Sequence, residues 1–154
     1  MNSRTTRQEL TRCSKPKQTG PVSTLPTRSR RYRILCVDDE IVGARLRGKI
    51  LEEHGYSVVL YQCPLAVLRC DLSVFDLAVL DFHMPGLNGR ELFLRMRALG
   101  ARFPTVLLTG NVDALSYEDR VLFALCIEKG RPIQHLLETI AKFVDPDQTP
   151  DVGT

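Results

Sequence analysis

Four apolar runs of the sequence end on polar side chains that could carry chemistry. These strand-end residues are Asp38 and Asp39, Asp81, Thr109, and Lys129. Carboxylates can bind a metal ion or act as nucleophiles, while a hydroxyl and an ammonium can bind an anion. If the runs are strands of one parallel sheet, their ends deliver all of these groups to the same edge.

Asp81 is the candidate reactive carboxylate. It ends a buried-type run and precedes a turn rich in Pro, Gly and Asn that continues to Gly89. An aspartate in this position lies where open α/β sheets place their ligands. The structural alternative is a helix cap or a turn residue. The acidic pair Asp38-Asp39, with Glu40 behind it, favours the functional interpretation.

Composition predicts one domain. The chain has 154 residues, of which 44% are hydrophobic and 25% charged, enough for one ordinary core. Its five cysteines form no C-x-x-C pair, which is typical of a reducing cytoplasm. No apolar stretch approaches the roughly 18 residues needed to cross a bilayer, and the amino terminus has no secretory signal pattern. We expect a soluble, cytoplasmic protein with no membrane partner.

The amino-terminal segment is strongly basic. Residues 1–33 carry nine Arg or Lys residues against Glu9 alone, so the remainder is net acidic although the whole chain is +3. Residues 1–31 have few large apolar side chains, and we expect a disordered extension. It could bind nucleic acid, tether an acidic partner, direct organelle import, or simply be solvated. Nucleic-acid binding is otherwise not expected.

The pattern from Tyr32 onwards alternates strands and helices. It predicts strands at 33–37, 57–61, 76–80, 105–109 and 122–128. Helices are predicted at 41–54, 64–70, 89–99 and 133–144, with a poorly patterned helix at 111–120. The fold class is therefore α/β, with a parallel sheet covered on both faces. No Gly-rich phosphate loop precedes a helix, which disfavours nucleotide binding.

From about Arg33 to Val144, these residues resemble the receiver domain of bacterial two-component response regulators. The shared features are the acidic pair after the first strand, Asp81 followed by Met84-Pro85 and Gly89, then Thr109 and Lys129. The resemblance implies a flavodoxin-like, doubly wound sheet of five strands in the order 2-1-3-4-5. It places a receiver domain at 32–145, with a flexible tail at 146–154.

The resemblance also assigns the site. Asp81 would accept a phosphoryl group, and Mg²⁺ would bind Asp39, Asp81 and the backbone carbonyl of His83 directly, with Asp38 bound through water. Thr109 and Lys129 would bind phosphoryl oxygens. The His83 side chain, which could be mistaken for a base or a zinc ligand, has no His or Cys partner at metal spacing and is expected only to flank the site.

Two positions depart from the family pattern. Receivers usually carry an aromatic residue where this chain has Cys126, and a proline where Gly130 follows Lys129. A cis bond before a residue other than proline costs about 2.5 to 4 kcal/mol, so we predict a trans Lys129–Gly130 peptide. Without a rotating ring at Cys126, we also expect a smaller conformational switch.

The leading functional interpretation is a stand-alone receiver phosphorylated by a histidine kinase or a phosphotransfer protein, which then binds an unidentified protein. We expect no enzyme activity beyond self-phosphorylation from a phosphodonor and autodephosphorylation. The first alternative is a protein-interaction module that kept the fold without phosphorylation. The second is a phosphatase with an aspartate nucleophile, which would require a second Asp where this chain has His83.

Overall fold

A computed structural model of the chain describes residues 30–146. The strands are β1 (Arg33–Val37), β2 (Ser57–Tyr61), β3 (Leu77–Asp81), β4 (Thr105–Thr109) and β5 (Leu125–Glu128). All neighbours pair in parallel, in the order β2-β1-β3-β4-β5, which confirms the predicted fold. The predicted basic extension, apart from Arg30 and Arg31, and the predicted tail, apart from Pro146, lie outside the described residues.

Helices connect the strands. They are α1 (Ile41–Glu53), α2 (Pro64–Val67), α3 (Gly89–Ala98), α4 (Tyr117–Leu122) and α5 (Ile133–Val144). The start of α3 is fixed by a capping box, in which Asn88 and Glu91 each accept a hydrogen bond from the other's backbone N–H. No helix within residues 30–146 is long and apolar enough to cross a membrane.

The core forms two layers because successive strand residues point to opposite faces of the sheet. Ile34 and Cys36 pack on the face covered by α1 and α5, against side chains such as Leu51 and Ile140. Their neighbours in β1 pack on the other face, against α3 and the residues around α4. This burial on both faces explains why the strands read as continuous apolar runs.

The segment between β4 and β5 differs from the prediction. Instead of one helix at 111–120, a 3₁₀ turn (Val112–Ala114) is followed by α4. The Asn111 side chain accepts hydrogen bonds from backbone N–H groups of the turn, and Ser116 accepts one from Asp119 N–H. These short polar side chains favour caps over helix interiors, so they divide the segment in two.

The same division shortens the last strand. The predicted strand at 122–128 was too long, because Leu122 ends α4 and β5 begins only at Leu125.

The third strand is shifted by one residue from its prediction and includes Asp81, which pairs in register with Leu108. The nucleophile candidate is therefore held within the sheet ladder itself.

Candidate functional site

The strand register brings the three aspartates together. Val37 of β1 lies opposite Leu80 of β3, so the residues that follow them, Asp38 and Asp81, are neighbours at the carboxyl edge of the sheet. Carboxylate oxygens of Asp38, Asp39 and Asp81 all lie within 4.8 Å of one another. Asp38 and Asp81 are buried, while Asp39 is exposed at the mouth of the cluster. The predicted acidic set thus forms one site.

Asp81 occupies the centre of this cluster. Its side chain is only 5% exposed, and Lys129 Nζ lies 3.1 Å from its Oδ1. Burial raises the pKa of the Asp81 carboxyl, the hydrogen bond from Lys129 lowers it, and the Asp38 charge raises it again, with a net upward shift. Burial and the Asp38 charge thus disfavour the ionised Asp81 carboxylate, and an additional cation would favour it.

Lys129 reaches the site from the end of β5. Its backbone N–H donates to Thr109 O at 2.7 Å, which ties this end of β5 to the end of β4. Its ammonium lies between Asp81 and Asp38 Oδ2, the latter at 3.4 Å. Residues 30–146 contain no cis peptide, so the Lys129–Gly130 bond is trans as predicted. Gly130 has φ +95°, a left-handed conformation that glycine adopts freely.

Thr109 is buried at the end of β4. Its hydroxyl makes long hydrogen bonds, both 3.4 Å, with the backbone N–H and carbonyl of Asn111. Contacts of this length hold the hydroxyl weakly, so it can rotate toward a ligand.

Cys126 is half-buried and packs beside the core on the α3 face of the sheet. A surface cavity of about 300 Å³ adjoins Cys126 and is also lined by Arg131 and His135.

The turn after β3 connects the strand that carries Asp81 to helix α3. The His83 ring is exposed and packs edge-on against Phe82, with 4.9 Å between ring centroids. Its backbone N–H lies 3.4 Å from Asp81 Oδ1. A Cβ atom on Gly89 would lie 2.5 Å from the Asp81 carbonyl oxygen. Glycine at this position therefore lets α3 begin directly against the strand that carries Asp81.

One residue of the site was missed from the sequence. Arg47 of α1 forms an ion pair with Asp38 Oδ2. It lies three residues after Ala44 and four before Leu51, both buried, so it belongs to the core-facing stripe of the helix. A cation on an otherwise apolar stripe, next to an acidic sheet edge, was the signal that could have identified it.

Comparison with known proteins decides the family. The family model described as "Response regulator receiver domain" matches residues 34–140, which include every site residue described above. The chain belongs to the response regulator receiver domain family. Its five-stranded parallel sheet in the order 2-1-3-4-5 agrees with that assignment.

Relatives carry this receiver domain within longer proteins. The chain is 33% identical over 82 residues to the uncharacterized transcriptional regulatory protein YbdJ of Bacillus subtilis, covering 53% of this chain and 36% of YbdJ. It is 35% identical over 103 residues to the sensor protein GacS of Pseudomonas syringae, covering 63% of this chain and 11% of GacS. The chain thus spans about a third or less of these two proteins.

Solved receiver structures show the same fold. The response regulator protein TrrA of Thermotoga maritima, in complex with Mg²⁺-BeF, matches with a TM-score of 0.66 and 28% identity, over 73% of this chain and 98% of that one. A CheY-like receiver domain of Methanospirillum hungatei matches with a TM-score of 0.65 and 28% identity, over 75% and 95% of the two chains. The carboxylate cluster of this receiver domain offers the hard oxygen donors that Mg²⁺ requires.

Proposed function

We propose that this receiver domain accepts a phosphoryl group on Asp81 from a histidine kinase or a phosphotransfer protein, and that phosphorylation changes which protein it binds. The observation that carries the proposal is the buried Asp81 carboxylate, with Lys129 3.1 Å away and two further carboxylates within 4.8 Å. The family and the Mg²⁺-BeF complex of the similar TrrA structure support it.

The site residues have distinct roles in the transfer. An Asp81 carboxylate oxygen attacks phosphorus, an O–P bond forms as the P–N bond of the donor phosphohistidine breaks, and the leaving imidazole takes up a proton. Lys129, already beside Asp81, pairs with an oxygen of the transferred group. The Thr109 hydroxyl donates to a second oxygen once it rotates away from Asn111. These groups stabilise charge on the phosphoryl oxygens.

The metal would be held by the acidic cluster. We assign Asp39, Asp81 and the His83 backbone carbonyl as direct ligands, with Asp38 binding through water. Mg²⁺, when bound, supplies positive charge beside the phosphoryl group. The exposed Asp39 gives the ion an entry route, and the burial of Asp38 and Asp81 keeps bulk water away from the reacting oxygen.

The partner and location are proposed from the same chemistry. A kinase or phosphotransfer donor must present a phosphohistidine to the open carboxyl edge of the sheet. We propose that this occurs in the cytoplasm of a bacterium. Within residues 30–146, Cys36, Cys63, Cys70 and Cys126 form no disulfide with one another, which is consistent with a reducing compartment.

The test is phosphorylation by a small phosphodonor with Mg²⁺, followed by mass spectrometry of the intact chain. We expect one hydroxylamine-sensitive phosphoryl group, abolished by Asp81→Asn and by omission of Mg²⁺. The matched control is Asp113→Asn, which removes a carboxylate that is 97% exposed. Absence of labelling in the wild-type chain would favour the interaction module that does not use phosphorylation. Equal labelling of Asp81→Asn would place the nucleophile elsewhere.

A further inference from the structure

Arg47 gives the acidic cluster a second cation besides Lys129. Its guanidinium pairs with Asp38 Oδ2, and the Asp38 side chain is only 3% exposed. With three carboxylates, Lys129 alone would leave the cluster a formal charge of −2, whereas Lys129 and Arg47 together leave −1. A divalent cation entering the site therefore meets half the net negative charge that it would meet without Arg47.

Both carboxylate oxygens of Asp38 already have partners in the protein. Its Oδ1 accepts the Glu40 backbone N–H at 2.9 Å, which fixes the carboxylate at the start of α1. Its Oδ2 is shared by Arg47 and by Lys129 Nζ at 3.4 Å. Arg47 is hydrogen-bonded to Oδ2, and Lys129 adds a second positive charge beside the same oxygen. A metal-bound water at this oxygen would therefore compete with Arg47 and Lys129.

The local sequence keeps Arg47 in place. Ala44 and Leu51, both buried, lie one helical turn before and after it, so its aliphatic stem packs within the core-facing stripe. Gly43 leaves room for the charged groups, because a Cβ atom there would lie 2.5 Å from Glu40 Oε2 and 3.3 Å from an Arg47 guanidinium nitrogen. The ion pair is therefore built into α1 and is not a chance surface contact.

We propose that Arg47 is a positioning residue that holds Asp38 in the resting site and weakens Mg²⁺ binding there. The inference rests on the proposed function, because it assumes that the acidic cluster is the metal site. Mg²⁺ and its waters then compete with Arg47 for the Asp38 carboxylate, so Arg47 raises the Mg²⁺ concentration at which the receiver becomes competent for phosphorylation.

The test is isothermal titration of Mg²⁺ into the full chain and four variants. Arg47→Met removes the charge but keeps a packed stem, and Arg47→Gln removes the charge but keeps a hydrogen-bond donor. Both should bind Mg²⁺ about tenfold more tightly, the effect of one charge near a divalent ion even at the dielectric constant of water. Arg47→Lys should restore binding to near the wild-type value. Arg45→Met, which removes an exposed charge from the same helix, should leave it within about twofold.

Several outcomes would overturn the inference. Equal affinity in the wild type and in the neutral variants at position 47 would do so, as would weaker binding in those variants. If Arg45→Met tightened binding equally, the effect would be one of general charge. Circular dichroism identifies a misfolded Arg47→Met chain, in which case Arg47→Gln decides. Failure of every variant to bind Mg²⁺ would reject this inference. The proposed function is tested separately, by phosphodonor labelling of Asp81 in the wild-type chain.

Discussion

Asp81→Asn should make the metal-free protein more stable while abolishing phosphorylation. The Asp81 carboxylate faces two other carboxylates within 4.8 Å and one ammonium at 3.1 Å. Lys129 offsets about one of the two repulsions, and Arg47, which pairs with Asp38, offsets part of the other, so at most one like-charge pair is left uncompensated. At these separations such a pair costs about 1 to 3 kcal/mol between the dielectric constant of water and an effective value near 20. Asparagine has nearly the same shape, and its carbonyl oxygen still accepts from Lys129.

The assay is urea unfolding at neutral pH in the presence of a chelator. We expect the free energy of unfolding to rise by about 1 to 3 kcal/mol in Asp81→Asn, and to be unchanged in Asp113→Asn, whose side chain is exposed. Added Mg²⁺ should stabilise the wild type and narrow the difference, because the ion neutralises the repulsion in the wild-type cluster.

The effect of Asp81→Asn on the free energy of unfolding should depend on pH, with a definite sign. The pKa of Asp81 is raised in the folded protein, chiefly by burial, so the folded state keeps this proton to a higher pH than the unfolded chain does. The contribution of Asp81 to wild-type stability should therefore fall as pH rises from the ordinary carboxyl pKa through the raised one, and the advantage of Asp81→Asn should grow over the same window. Below that window the advantage should disappear. The reasoning would be refuted if Asp81→Asn were less stable than the wild type at neutral pH. It would also be refuted if the gain in the free energy of unfolding were as large in acid as at neutral pH.

Other perturbations test separate parts of the molecule. Asp39→Ala should weaken Mg²⁺ binding by at least tenfold in a calorimetric titration, because it removes a proposed direct ligand; unchanged affinity would reject that assignment. Gly89→Ala should lower the free energy of unfolding by about 1 to 3 kcal/mol in urea, since its Cβ would overlap the Asp81 carbonyl; an unaffected variant would contradict the predicted overlap. Adding beryllofluoride should change NMR shifts mainly around Asp81, Thr109 and Lys129, the proposed phosphorylation site, and only modestly over 121–137, because Cys126 offers no aromatic ring; a large rearrangement of 121–137 would disprove this. Deleting residues 1–29 should leave Asp81 labelling intact, and any binding of heparin by the full chain should weaken steeply with salt; salt-independent binding would exclude a polyanion-binding role.

Sequence patterns predicted the sheet well because burial leaves a strong signal in it. The strands β1, β2 and β4 were located with their observed bounds, and the resemblance gave the strand order. The segment before β5 was harder to predict. Its structure depends on whether Asn111 and Ser116 cap short turns or join one helix, and neither choice changes the apolar pattern.

The site was predictable where its residues end strands. Asp38, Asp81 and Lys129 converge because the carboxyl ends of parallel strands lie at the same edge of the sheet. This rule can be applied as soon as the order of strands and helices along the sequence is known. Arg47 was not found in this way, because it lies in the middle of a helix and reaches the cluster through side-chain length. The raised pKa of Asp81 likewise depends on burial and on distances between charges, which only coordinates supply.

The distribution of the site over the strands has a consequence for how the protein is made. Asp38 follows β1 and Asp81 ends β3, but Lys129 follows β5, and its backbone N–H is bonded to Thr109. A chain emerging from the ribosome presents Asp81, the proposed acceptor, before Lys129, which is proposed to pair with the transferred group, has been synthesised. Phosphorylation competence should therefore arise only after β5 has been synthesised and has joined the sheet, so that shorter chains would not take phosphoryl groups from the proposed donor.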